Sequence, residues 1–139
     1  MMKDILIEIY DVLSRDDFIK DKVNIKKNIK FNEYPDIKTL KDPVIIIDDL
    51  SDPFPEKHAD DEIIAFSYLV QIDVFTKVFN NTNARILRND ISNRISEVLK
   101  DKLNMGIISS NRPEYDDEFK IYRSAKRYEG VYLIEKMGE

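Results

Sequence analysis

The chain has 139 residues, 42% hydrophobic and 35% charged, with a net charge of −5 from 22 basic and 27 acidic side chains. That length predicts one domain with a core large enough to need no staple, and the negative balance argues against a dedicated nucleic-acid binder. The absence of Cys, a single His (His58) and only three Gly exclude disulfides, thiolate metal sites, paired-imidazole zinc sites and Gly-rich phosphate loops.

Residues from Lys3 to Lys20 predict an amphipathic helix, with Ile5, Leu6, Ile9, Val12 and Leu13 on one face. Asp4, Glu8 and Asp11 interrupt what a secretory signal would need as an uncharged run. Ile25 to Phe31 alternates loosely as a strand and ends at the turn signal Tyr34-Pro35-Asp36. Pro43 to Asp48 is a β-branched run, the composition of a strand covered on both faces. Asp49 to Glu62 carries Pro53, Pro55 and an excess of acids, which predicts a long, exposed acidic loop.

The clearest strand follows. Ile64, Phe66, Tyr68, Val70, Ile72 and Val74 form an apolar, helix-facing row. Ala65, Ser67, Leu69, Gln71, Asp73 and Phe75 form a mixed row, expected to be partly exposed or covered by another subunit. Its longest uncharged stretch, Ile63 to Ile72, is half of the roughly 20 residues a membrane-spanning helix needs. Thr82 to Leu103 predicts a second amphipathic helix, capped by Asn80, Asn81 or Thr82 and stopped at Asn104-Met105-Gly106. One or two strands complete the chain, with Gly130 at a turn or bulge. The expected fold is α+β: an antiparallel or mixed sheet with two amphipathic helices on one face, in the order α-β-β-β-α-β-β.

No motif specifies a reaction. His58 reads as an exposed loop histidine beside Asp60 and Asp61. Asp48, Asp49 and Asp52 have the acids of a calcium loop but meet Pro53 where that loop needs Gly. Pro35-Asp36 with Glu118-Phe119-Lys120 supplies the letters of a Mg²⁺-dependent nuclease, in which two acids hold the metal and a Lys assists water. About eighty residues separate those letters, and such short matches recur by chance. Lys120, Arg123, Lys126 and Arg127, interleaved with Tyr122 and Tyr128, form a basic-aromatic segment suited to phosphates or to an acidic protein surface.

Four stretches together with the Met-Lys-Asp-Ile-Leu opening carry a resemblance. They are Lys30-Phe31-Asn32-Glu33-Tyr34-Pro35, Ile45-Ile46-Ile47-Asp48, Tyr68 to Phe75, and Arg123 to Gly130. Over nearly the whole chain the sequence resembles the tail-completion (tail-terminator) proteins of long-tailed phages of Gram-positive bacteria. The resemblance implies a non-enzymatic virion protein, made in the host cytoplasm, without cofactor or membrane partner. It implies a hexameric ring, built from subunits that are monomeric in isolation. That ring would cap the head-proximal end of the tail tube, stop its growth, meet the head-completion protein and let DNA pass through its lumen. The alternatives are another head–tail connector subunit and the Mg²⁺ nuclease. A ring needs two unlike surfaces. The expected interface set is therefore the acidic Asp49, Asp52, Glu56, Asp60 and Asp61, the apolar Phe54, Leu69 and Phe75, and the basic Lys120, Arg123, Lys126 and Arg127. An acidic lumen would repel phosphates.

Overall fold

The computed structural model describes residues 4–59, 62–79 and 83–133. Asp4 caps the first helix, α1 (Ile5–Ser14), its carboxylate accepting from the Leu6 and Ile7 amides. The predicted single helix to Lys20 breaks at Asp16. That carboxylate accepts from the Ile19 amide and starts a second helix, α2 (Asp17–Lys22), so the capping bond wins over helix continuation. Asn24 in turn caps a single helical turn, α3 (Ile25–Asn28). The strand expected from Ile25 is therefore reduced to β1 (Ile29–Phe31).

Strand β1 lies parallel to β2 (Val44–Asp49), which requires a crossover, and residues 32–43 provide it. The acidic stretch is not a long loop. After a turn it forms β3 (Phe54–Ala59), antiparallel to the first half of the long strand β4 (Glu62–Lys77). Pro55 is tolerated because β3 is an edge strand, and the register shifts on either side of Lys57. Asp60 and Asp61 lie outside the described residues.

Asn83 caps helix α4 (Ala84–Leu103) through the Ile86 amide, while the caps expected at Asn80, Asn81 and Thr82 lie outside the described residues. The helix stops where predicted. Asn104 takes the left-handed conformation and the Met105 amide closes on the Leu99 carbonyl. Strands β5 (Gly106–Ser110) and β6 (Glu114–Asp116) both pair with β7 (Ile121–Leu133), which runs unbroken through Gly130. Gly130 marks no turn. A Cβ there would sit 2.9 Å from Met105 Cγ, so the position is small because a core side chain crosses it.

The seven strands form one mixed sheet in the order β1-β2-β4-β7-β5, with β3 on β4 and β6 on β7, and the fold is α+β as expected. The expected order α-β-β-β-α-β-β is replaced by three helices, four strands, a helix and three strands, because caps divide the first helix and the acidic stretch pairs as β3. Helices α1, α2 and α4 cover one face, over a core that includes Ile9, Leu13, Ile47, Val70, Ile72, Ile95, Leu99 and Tyr128. Ser92 and Ser96 hydrogen-bond Ser124 and Tyr128, tying α4 to β7. On the opposite face the crossover seals a smaller cluster of Leu40, Val44, Ile46, Phe75 and Ile121, with Ile37 and Phe119 at its rim. Both faces of β2 are thus covered, as its composition predicts. No helix among the described residues is long and apolar enough to cross a membrane.

Candidate functional site

The strand alternation puts Val44, Ile46, Asp48 and Leu50 on the sheet face away from α4, alongside the mixed row of β4 and the odd-numbered residues of β7. This face divides into two halves. At the Val44 end the crossover lies over it. Beyond Asp48 nothing among the described residues covers it.

The covered half is built around a charge. Asp73 is fully buried, and Arg123 donates from Nε (3.1 Å) and Nη2 (2.6 Å) to its Oδ2. The Gln71 amide donates to Oδ1 at 2.9 Å, and Arg123 reaches Glu114 at 3.4 Å. The guanidinium lies 5.4 Å from both the Tyr34 and the Phe75 ring centroids, so it clamps the start of the crossover to the sheet. Burial and then the Asp73 charge raise the pKa of Asp48, and burial followed by the Asp73 and Asp48 charges raises that of Tyr34. An acid with a raised folded pKa favours the fold fully below its unfolded pKa, and that contribution is lost as pH rises through the folded value. Asp48→Asn should therefore melt higher than the parent at pH 7, with the gain closing as pH falls toward about 4. Melting curves from pH 4 to 8 check this; a gain that does not vary with pH contradicts it.

The open half is apolar. Phe54, Ser67 and Val131 form one row across three strands, with Phe54 56% and Val131 49% exposed. Leu50, 41% exposed, and half-buried Leu69 form the next row. Ala65 and Ser67 are small and buried between these larger neighbours, which leaves a shallow apolar surface bordered by exposed Glu129, with exposed Asp52 in the turn before Phe54.

Of the expected interface residues, Phe54 and Leu69 meet here and Asp52 sits in the turn before Phe54, whereas Asp49, paired with Val70, belongs to the helix-covered face. Glu56 lies on β3 next to the patch, as does His58 farther along. Phe75 does not belong: it is buried beneath Tyr34 and the crossover. The basic segment is not one patch, because β7 is an interior strand that sends successive side chains to opposite faces. Arg123 is consumed by Asp73. Lys126 faces the helices and donates to Asn93, burial lowering its pKa, whereas Arg127 is on the other face beside Ser109. Lys120 sits in the turn before β7 with φ 57° and pairs with Asp117. The nuclease letters fall into ordinary turn roles. Asp36 accepts from the Lys38 amide, Lys120 is engaged as above, and no three His or acidic residues among the described ones are grouped to hold a metal.

Sequence reasoning missed Leu50 and Val131 in this patch, and the Asp73–Arg123 pair. Asp73 was the available signal: an acid amid a long apolar strand must find a cation or stay costly to bury. The chain matches no protein-family model and no curated protein sequence.

Proposed function

We propose that this protein is a ring-forming capping subunit of the tail-terminator kind, non-enzymatic, which ends tail-tube growth and presents a joining surface to the head. The observation that carries the reading is the half-open sheet. Its own crossover seals one end of the face, while the other end leaves Leu50, Phe54, Leu69 and Val131 to a partner. A polar-rimmed apolar surface of this kind suits protein association. The four sequence stretches that resemble tail-terminator proteins supply the identity of that association. The partners on this reading are neighbouring copies, the tail-tube protein and the head-completion protein, with DNA passing through unbound and the protein residing in the virion.

Phe54→Glu/Val131→Glu should leave circular dichroism nearly unchanged, because both side chains already face solvent. The same variant should fail to cap tails, measured as overlong tubes without six-fold end rings in negative-stain images of a complementation lysate. Normal capping by the variant overturns the assignment of the patch. Plasmid and linear DNA incubated with the parent protein in Mg²⁺ or Mn²⁺ should stay intact. Cleavage lost in Asp36→Ala or Lys120→Ala would replace the reading with the nuclease.

A further inference from the structure

The two lateral edges of the sheet carry opposite charge at the same level. On one edge, α3 and β1 hold Lys26, Lys27 and Lys30, with no acid between Ile25 and Asn32. On the other, β6 and its turn hold Glu114, Asp116, Asp117 and Glu118, acids that outnumber the cations beside them, Lys120 at Asp117 and Arg123 at Glu114. These edges are aligned. Val44, Phe75, Arg123 and Glu114 form one continuous row across β2, β4, β7 and β6, and Ile29 of β1 enters the sheet one row farther along. Because β1 is parallel to β2, α3 lies at the Val44 end of its edge, level with β6.

Below the charges both edges turn apolar. Phe31, at the end of β1, is 39% exposed. On the other edge β5, whose Ser110 stands in the row of Phe31, presents Ile107 and Ile108 farther along, each about half exposed, on a strand without charge or proline whose register shifts between Ile107 and Ser109. An edge strand presents unpaired amides and carbonyls that another chain can pair with. The strand directions fit as well. Strand β1 runs with β2 and β7, and β5 and β6 run against β7, so the two edges of successive copies would meet antiparallel.

We propose that copies of this chain join head to tail through these edges, the Lys26–Lys27–Lys30 edge of one against the β6–β5 edge of the next. Two-fold pairing of like edges with the strands level would set lysine against lysine or acid against acid. Turning one copy over would set the charges against the apolar strand end. Only the unlike, level arrangement satisfies both, and repetition of such a heterologous contact closes a ring or extends a filament. The inference rests on the assembly reading above and replaces the joint expected between the acidic 49–62 stretch and the basic 120–127 segment.

Zero-length carbodiimide cross-linking of the purified chain tests it, since an amide forms only where a lysine touches a carboxylate. Denaturing gels should show dimers and higher species, and mass spectrometry should find peptides holding Lys26 or Lys27 joined to those holding Glu114 or Asp117. Raising salt to 1 M shortens the screening length from about 8 to about 3 Å and should cut the yield several-fold. Lys26→Glu/Lys27→Glu and Glu114→Lys/Asp117→Lys, exposed positions all, should each lose the product alone. Mixed in equal amounts they should regain it, because the two natural edges then match each other, as do the two reversed ones. Absence of that linked peptide in the parent, or no recovery on mixing, overturns the joint. Tail capping reads the function separately: a reversed variant that still caps tails sinks the joint alone, and a cross-linked ring that leaves tails uncapped sinks the capping role alone.

Discussion

Arg123→Ala should lower the unfolding free energy by about 3–5 kcal/mol, the usual consequence of leaving a buried charge without its partner. For a domain near 150 residues that is a fall in Tm of roughly 6–20 °C. The substitution removes both short bonds to the Asp73 carboxylate, which then keeps only the Gln71 amide. It also removes the cation between the Tyr34 and Phe75 rings, so the crossover should loosen from the sheet. Asp73→Asn/Arg123→Met is the discriminating control. It abolishes both charges and leaves an amide oxygen for Gln71, so it should lose markedly less stability than Arg123→Ala. Equal losses in the two variants, measured by denaturant titration, would mean that Arg123 acts by filling space rather than by compensating Asp73. A loosened crossover would extend the open apolar half of the face toward Phe75, so Arg123→Ala should bind an apolar dye more strongly before it unfolds.

Ile72→Ala should cost about 2–5 kcal/mol, from the lost burial and the cavity left behind. Ile72 is buried in the central strand, on the face that α1 and α4 cover, among Ile47, Ile95 and Leu99. Leu69→Ala, three residues earlier on the opposite face, should cost much less because that side chain is only half-buried. The contrast between the two measures the division of labour on β4: one face holds the monomer together, and the other is left for a partner. Comparable losses at both positions would mean that the open half contributes to the monomer core.

The strong periodic segments were legible from the residues themselves. The two-residue period from Phe66 to Phe75 specified a strand and its helix-facing row, because a pleated strand sends alternate side chains to opposite faces. The spacing of Leu87, Ile91, Ile95, Val98 and Leu99 specified the long helix, and Asn104 its stop. Short-range chemistry that competes with periodicity was misread. Asp16 and Asn24 are capping residues embedded in apparently continuous patterns, and their side-chain bonds to nearby amides divide one expected element into several.

The candidate site was half legible for a related reason. Phe54 and Leu69 could be named as apolar residues without an internal use, since composition and alternation are properties of the chain. That Phe75 is covered while Val131 is open depends on where residues 32–43 cross the sheet, and nothing local to Phe75 encodes that path. The acidic stretch became an edge strand because β4 outlasts β2 and leaves its first half needing a hydrogen-bonding neighbour, which β3 supplies. Likewise, a run of basic letters is not a basic surface. Placed in an interior strand, Arg123 and Arg127 went to one face and Lys126 to the other, while lysines and acids some ninety residues apart in sequence came level on opposite edges. The sequence by itself determined the elements and the apolar faces they must bury, since those follow from each segment's own period. Which faces and edges stay open was decided only by the tertiary structure, because strand pairing alone sets which segments become neighbours.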